Sequence, residues 1–261
     1  MMKYDVLLQY KKYLLSRGLR PKTAITYYHN IDNLLNGQDP FNLTENLDTL
    51  KIFESLKEIK YKSYFIQAKN ALKHFCRFAN INLDFKQLRF IEEAQADTKK
   101  KYRKNIKLTP SDINEIKTKI GKIKDIKLKS SYDLAIATGL RVSEVSRLNR
   151  NSSVISNDKI IFTVIVKGGN TDSVDIIKEE TPILYDNLTE IINNAVLGKP
   201  LFYGTQTLQV KAKELGFKFH DLRRICAYDE YKKSKSKEQV MEKLRHSSIK
   251  NTKIYLKSVG K

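Results

Sequence analysis

Three short stretches toward the C-terminal end carry side chains suited to one kind of chemistry. They are His220-Asp221-Leu222-Arg223, Leu244-Arg245-His246, and Tyr255, nine residues after His246. Upstream lie Thr138-Gly139-Leu140-Arg141 and Lys167, the latter in a glycine-rich stretch. Two arginines, two histidines and a lysine can bind and protonate a phosphodiester, and a tyrosine can attack one. Breaking that bond without a metal requires charge on the phosphate oxygens, a nucleophile, and an acid for the departing oxygen. Guanidinium groups supply the charge well, because their planar forks match phosphate oxygens two bonds at a time. The chain has only eleven arginines, and Arg141 and Arg223 both fall in these stretches. No acidic cluster points to a two-metal nuclease, and no Gly-x-x-x-x-Gly-Lys loop points to nucleotide binding, so no metal and no cofactor are expected.

Each residue alone has a plainer reading. Arg141 follows a helix-breaking glycine, where a surface arginine is the default; Glu144, three residues on, shares its helical face and could orient basic groups nearby. His220 and Arg223 are three apart on an expected helix and face one way, yet an isolated His-x-x-Arg is frequent by chance. Lys167 sits at an expected hairpin turn, where many lysines serve solubility alone. Among fourteen tyrosines, only the spacing from His246 singles out Tyr255. One unbroken helix would hold that pair roughly 13 Å apart, so Tyr255 must lie on its own short segment that folds back or moves in. His29 and His74 match no motif and read as structural or surface residues.

The elements that must position these groups are mostly helical. Residues 1 to about 94 read as helices only, with apolar faces Val6, Tyr10, Tyr13, Leu14, then Ile25, Tyr28, Ile31, Leu34, Leu35, a third helix over 46–58, and Phe65, Ala68, Leu72, Phe75 on a fourth. Their outer faces are basic, which suits either a DNA-gripping bundle or a solvated helical domain. Residues 95–106 are polar and strongly basic and read as a linker. A second domain, 107–261, opens at Thr109-Pro110-Ser111-Asp112, a capping sequence with proline at the first helical position. Ile160 to Val166 and Val174 to Ile177 flank Gly168-Gly169-Asn170 as a strand pair. Helices are expected again near 184–196, 205–215, 220–233 and 236–245, with a short one around Tyr255. The expected fold is therefore mainly α: an N-terminal helical bundle, then a mostly helical domain with a small antiparallel β-sheet.

Composition narrows the partner. A net charge of +20 attracts polyanions and favours release of counterions from phosphates, although a lysine-rich bias explains part of it. Double-stranded DNA is the expected partner, ahead of a membrane surface. No apolar run reaches the roughly 18 residues of a spanning helix, and the start lacks a signal-peptide pattern. The expected location is the cytoplasm or nucleoid, with Cys76 and Cys226 buried and reduced.

The order Arg, Lys, His-x-x-Arg, His, Tyr resembles the tyrosine recombinase (phage integrase) family, especially its small Xer-type members. Thr-Gly-Leu-Arg-Val-Ser-Glu-Val resembles the family's first arginine motif. Leu-Arg-His-Ser-Ser-Ile-Lys-Asn-Thr-Lys-Ile-Tyr resembles the box in which Leu-Gly-His-Ser leads to Thr-x-x-Tyr, and Val-Lys-Gly-Gly loosely resembles its Gly-Lys-Gly hairpin. Two positions depart from the pattern. Arg224 stands where a histidine is common, and is expected to face solvent or the DNA backbone. Arg245 replaces the usual glycine, and is expected to alter the turn without touching a reactive group.

The resemblance implies an N-terminal core-binding domain and a C-terminal catalytic domain. It implies that Arg141, Arg223, His220 and His246 stabilise the transition state, that Tyr255 forms a 3′-phosphotyrosyl bond, and that Lys167 protonates the 5′ oxygen. It further implies a monomer or weak oligomer that becomes a homo-tetramer on two DNA sites and passes through a Holliday junction; any accessory protein is left open. Helices from the N-terminus onward suggest a simple recombinase without a separate arm-binding domain, acting in dimer resolution or on a mobile element. The six residues after Tyr255 look too short for a full docking helix. The alternatives are a type IB topoisomerase-like enzyme and a sequence-specific DNA-binding protein with a dead site.

Overall fold

The computed structural model describes residues 3–35, 55–56, 58–59, 62–81, 107–166 and 169–260. The expected helix at 46–58 falls mostly outside these residues, and the basic linker at 95–106 entirely so. The chain divides into two compact units, Met1–Lys104 and Asn105–Lys261.

In the first unit, α1 (Lys3–Ser16), α2 (Pro21–Leu35) and α3 (Lys62–Phe78) pack together. The stripe Phe65, Ala68, Leu72, Phe75 on α3 recurs at helical spacing and is buried along its length. Tyr10 on α1 is fully buried; its hydroxyl donates to the Ala71 carbonyl at 2.8 Å while its ring meets Phe75 edge-on at 5.2 Å. Ile25 departs from expectation: it is 42% exposed, and Ala24 takes the inward position on α2. The buried set Ala24, Ile31, Leu34, Leu35 has the narrower stripe that a short helix can hide against two neighbours.

The second unit starts as its sequence predicts. Thr109 caps α4 (Pro110–Gly121), accepting from Asp112 N at 3.2 Å, while Thr109 N donates back to the Asp112 carboxylate at 2.7 Å. The central helix α5 (Ile126–Thr138) buries Leu128, Tyr132, Leu134 and Ala135, then ends at Gly139 with φ +65°. Any side chain at Gly139 would be strained by that backbone, and a Cβ there would stand 2.6 Å from Leu244 Cδ2. The short α6 (Val142–Val145) follows directly.

A three-stranded antiparallel sheet comes next: β1 (Ser153–Ile155), β2 (Lys159–Ile165) and β3 (Thr171–Ile177), in that order. Ile160, Phe162 and Val164 alternate inward on β2, opposite Val174 and Ile176 on β3, so one face closes the core. β1 has only three residues, too few for an alternating pattern to be legible in the sequence. Helices α7 (Pro182–Asn193), α8 (Thr205–Glu214), α9 (Phe219–Ser234), α10 (Lys237–Lys243) and α11 (Ile249–Lys257) complete the unit, with α9 packed along α5. The mainly helical fold with a small antiparallel sheet is as expected. Cys76 and Cys226 are buried free thiols, and no helix among the described residues is long and apolar enough to cross a membrane.

Candidate active site

Arg141 sits at the N-cap of α6, where the chain leaves the Gly139 turn. Glu144 is buried and holds it at both ends: Arg141 N donates to Oε2 at 2.8 Å and Nη1 to Oε1 at 2.7 Å. His220 and Arg223 lie in the first turns of α9, three residues apart, and so project from one face. With Arg141 they line a pocket of about 520 Å³, whose walls also include Gln209 and Lys213 of α8 and Lys218. Arg223 is 1% exposed. Its Nη1 donates to the Gly139 carbonyl and its Nη2 to the Leu244 carbonyl, while Nε is buried without a hydrogen-bond partner in the protein. Two of the five guanidinium donors thus fix the plane of the group.

Tyr255 reaches this group because the chain reverses between α10 and α11. The end of α10 is a Schellman turn: Arg245 N donates to Glu242 O at 2.8 Å, and His246 N to Met241 O at 3.0 Å. Ser248 then caps α11, its Oγ accepting from Lys250 N at 3.2 Å. His246 Nδ1 is 3.0 Å from the hydroxyl of Thr252, itself fully buried. The Tyr255 ring lies 4.9 Å from that of His246 and 5.2 Å from that of His220, and the Arg223 guanidinium is 6.0 Å from its centroid. The Tyr255 hydroxyl and His220 Nε2 share a hydrogen bond of 2.7 Å. Beyond the tyrosine, Leu256 and Val259 are buried in the same unit, and Leu108 N donates to Ser258 O at 2.9 Å. The tail therefore anchors α11 on the body of its own unit.

The charges in this pocket are unbalanced. Burial, then the Arg141 charge, pulls the Arg223 guanidinium down to about 10. Burial lowers His246 to about 4, with Arg223 and Arg141 adding to the effect. His220 is lowered by burial, then by Arg224 and Arg223, with Asp221 opposing. A bound anion would oppose the part of each shift that comes from neighbouring positive charge. Each histidine shift favours the neutral imidazole over the imidazolium.

A stability prediction follows for His246. Its folded value of about 4 lies below the ordinary 6.5, so the unfolded chain binds more protons between these limits. The contribution is fully present above about pH 6.5 and is lost as pH falls toward 4. Thermal unfolding midpoints measured across that window should fall more steeply for the wild type than for His246→Gln. Parallel curves would show that His246 carries no such linkage.

The structure brings five of the six candidate residues together: Arg141, His220, Arg223, His246 and Tyr255. Lys167 lies outside the described residues, in the connection between β2 and β3. Arg224 does not simply face solvent: Nη1 pairs with Asp221 at 3.0 Å, one helical turn back, with the side chain 26% exposed. Sequence reasoning missed two groups. Thr252 stood in the Thr-x-x-Tyr box without a role, and its hydroxyl holds His246 Nδ1 at 3.0 Å. Arg245 is no idle replacement for glycine. Its φ is +53°, a conformation that costs a non-glycine residue about 1–2 kcal/mol, and its side chain is only 13% exposed. The sole hint in the sequence was an arginine in a place favouring glycine.

The sequence profile described as the phage integrase family matches residues 107–260. The chain belongs to this family, the tyrosine site-specific recombinases. Solved structures share the fold at low identity. A lambda integrase dimer bound to a COC′ core site has 20% identity and a TM-score of 0.70, covering 98% of this chain and 95% of that one. A lambda integrase tetramer bound to a Holliday junction has 21% identity and a TM-score of 0.69, covering 98% and 77%. XerH recombinase bound to palindromic difH substrate, a post-cleavage complex, has 16% identity and a TM-score of 0.60, covering 94% and 76%. No curated protein matches the sequence significantly.

Proposed function

We propose that this chain cuts and rejoins duplex DNA through a covalent 3′-phosphotyrosyl intermediate on Tyr255. The observation that carries this reading is the 2.7 Å hydrogen bond between the Tyr255 hydroxyl and His220 Nε2, beside Arg141 and the buried Arg223, where Glu144 offsets only part of the positive charge. With His220 neutral and protonated on Nδ1, the phenol donates to Nε2 and can lose its proton there as the phenolic oxygen attacks phosphorus. The new phosphorus–oxygen bond replaces the bond to O5′, which leaves as a 5′ hydroxyl after taking a proton, in this reading from Lys167. Arg141 and the free donors of Arg223 meet the charge that builds on the non-bridging oxygens, and His246 adds a hydrogen bond. In the return step a 5′ hydroxyl attacks the phosphotyrosine and frees Tyr255. Each step exchanges one phosphate ester for another, so no ATP is needed, and the cationic side chains supply the charge stabilisation that a metal gives elsewhere.

The first unit, with exposed Lys12, Arg17, Arg20, Lys22 and Arg77, is read as the core-binding domain that grips the duplex. Four protomers on two sites, exchanging strands through a Holliday junction, complete the proposal; the related lambda integrase tetramer on such a junction supports it by analogy of fold. The direct test uses duplexes tiled from the DNA flanking the chain's own gene, each nicked close to a candidate scissile phosphate so that the short 5′ fragment diffuses away. The expected result is a protein–DNA adduct that survives denaturant and leaves a free 5′ hydroxyl. Binding to the duplexes with no adduct on any of them would leave a DNA-binding protein and remove the enzyme.

A further inference from the structure

We propose that Arg245 is a positioning residue, one that sets His246 and Arg141 at their working separation by tying three segments of the site together. The inference rests on the strand-cleavage reading above. Three observations carry it. First, Arg245 occupies the left-handed position of the Schellman turn, where the absence of a Cβ makes glycine the favoured residue. His246 is the very next residue and supplies the second hydrogen bond of that turn, so the conformation of Arg245 decides where the imidazole points. Second, the Arg245 side chain turns inward. Nη2 donates to the Thr138 carbonyl at 3.2 Å, across 107 residues of sequence, and Nη1 donates to the Lys243 carbonyl at 3.2 Å. Thr138 is the last residue of α5, three before Arg141, and it precedes the Gly139 whose carbonyl receives Arg223. Third, the buried Nε makes no hydrogen bond but lies 4.0 Å from Asp172 Oδ2 near the start of β3, a long charge contact.

One planar group therefore hydrogen-bonds the end of α5 and the end of α10 and faces the Asp172 charge at the start of β3. A strained backbone persists only where its surroundings over-determine it, and here the two carbonyls and Asp172 do so. The hydrogen bonds of Arg245 go to Thr138 and Lys243 rather than to Tyr255 or His220, so it acts through its neighbours rather than on the phosphate.

The test compares the wild type with Arg245→Gly and Arg245→Lys in single-turnover adduct formation on the nicked duplexes, alongside duplex affinity and unfolding curves. Glycine relieves the backbone but releases all three ties. Lysine keeps the charge but cannot span both carbonyls. Expected is a cleavage rate about 100-fold lower for Arg245→Gly, as a displacement near 1 Å in a catalytic group would give, with duplex affinity changed less than threefold. Arg245→Lys should fall between the two. A cleavage rate within twofold of wild type in Arg245→Gly overturns the proposal, as does an affinity loss of tenfold or more with the rate preserved, which would make Arg245 a DNA contact. Should Arg245→Gly lose its cooperative unfolding, Arg245→Lys decides: a wild-type rate overturns, and a reduced rate at wild-type affinity supports. A wild type that forms no adduct would instead remove the strand-cleavage reading itself.

Discussion

Tyr255→Phe is expected to form no covalent adduct, a loss of at least about 10⁴-fold in cleavage, while duplex affinity stays within twofold of wild type. Loss of a nucleophile in other covalent enzymes has effects of that order. The substitution removes one oxygen and little else. The ring keeps its edge contacts with His220 and His246, at 5.2 and 4.9 Å. Thr252 and Leu256 remain buried on the inner side of α11, so the helix has no reason to move. The broken hydrogen bond to His220 is exposed, and its loss should change stability by about 1 kcal/mol or less. Denaturing electrophoresis of labelled duplex reads the adduct, and a mobility-shift titration reads the affinity. An adduct persisting in the phenylalanine variant would assign the nucleophile elsewhere.

Arg223→Lys should lose on two counts. Cleavage is expected to fall about 10²–10³-fold, comparable to removing a donor aimed at the charge of a transition state. Stability should also drop, by about 1–3 kcal/mol, because an ammonium cannot reach both the Gly139 and Leu244 carbonyls and one is left buried and unpaired. Arg141→Lys separates these effects. Its side chain is 30% exposed and its one partner, Glu144, can still pair with lysine. It should therefore lose rate by a similar factor with little change in stability, since a lysine gives up the two-pronged phosphate contact but not the local pair. Single-turnover rates and denaturant midpoints for both variants make the comparison. If Arg223→Lys unfolds more easily yet cleaves normally, Arg223 is a strut between α5, α9 and α10 and nothing more.

Acidification and Arg245 substitution probe the same cluster from other sides. The first acts on a charge that the pocket disfavours, the second on the scaffold that sets its place. If both behave as expected, the pocket is a charge trap whose geometry is held from behind.

What the sequence determined by itself is whatever depends on neighbours along the chain. The period of Phe65, Ala68, Leu72 and Phe75 placed a buried stripe on α3, and Thr109 to Asp112 marked where α4 begins. The nine-residue gap from His246 to Tyr255 required a break in the helix, and the turn between α10 and α11 supplies it. These are local rules of pitch, capping and reach, legible without tertiary structure. Only packing decided the rest. Arg223 meets Gly139 across 84 residues, and Arg245 meets Thr138 across 107, so no periodicity could report either contact. The exposure of Ile25 and the three-residue β1 likewise follow from which surfaces meet. Residue types announced the chemistry. Burial of two guanidinium groups against backbone carbonyls, an interaction with no counterpart in the linear chain, gave that chemistry its shape.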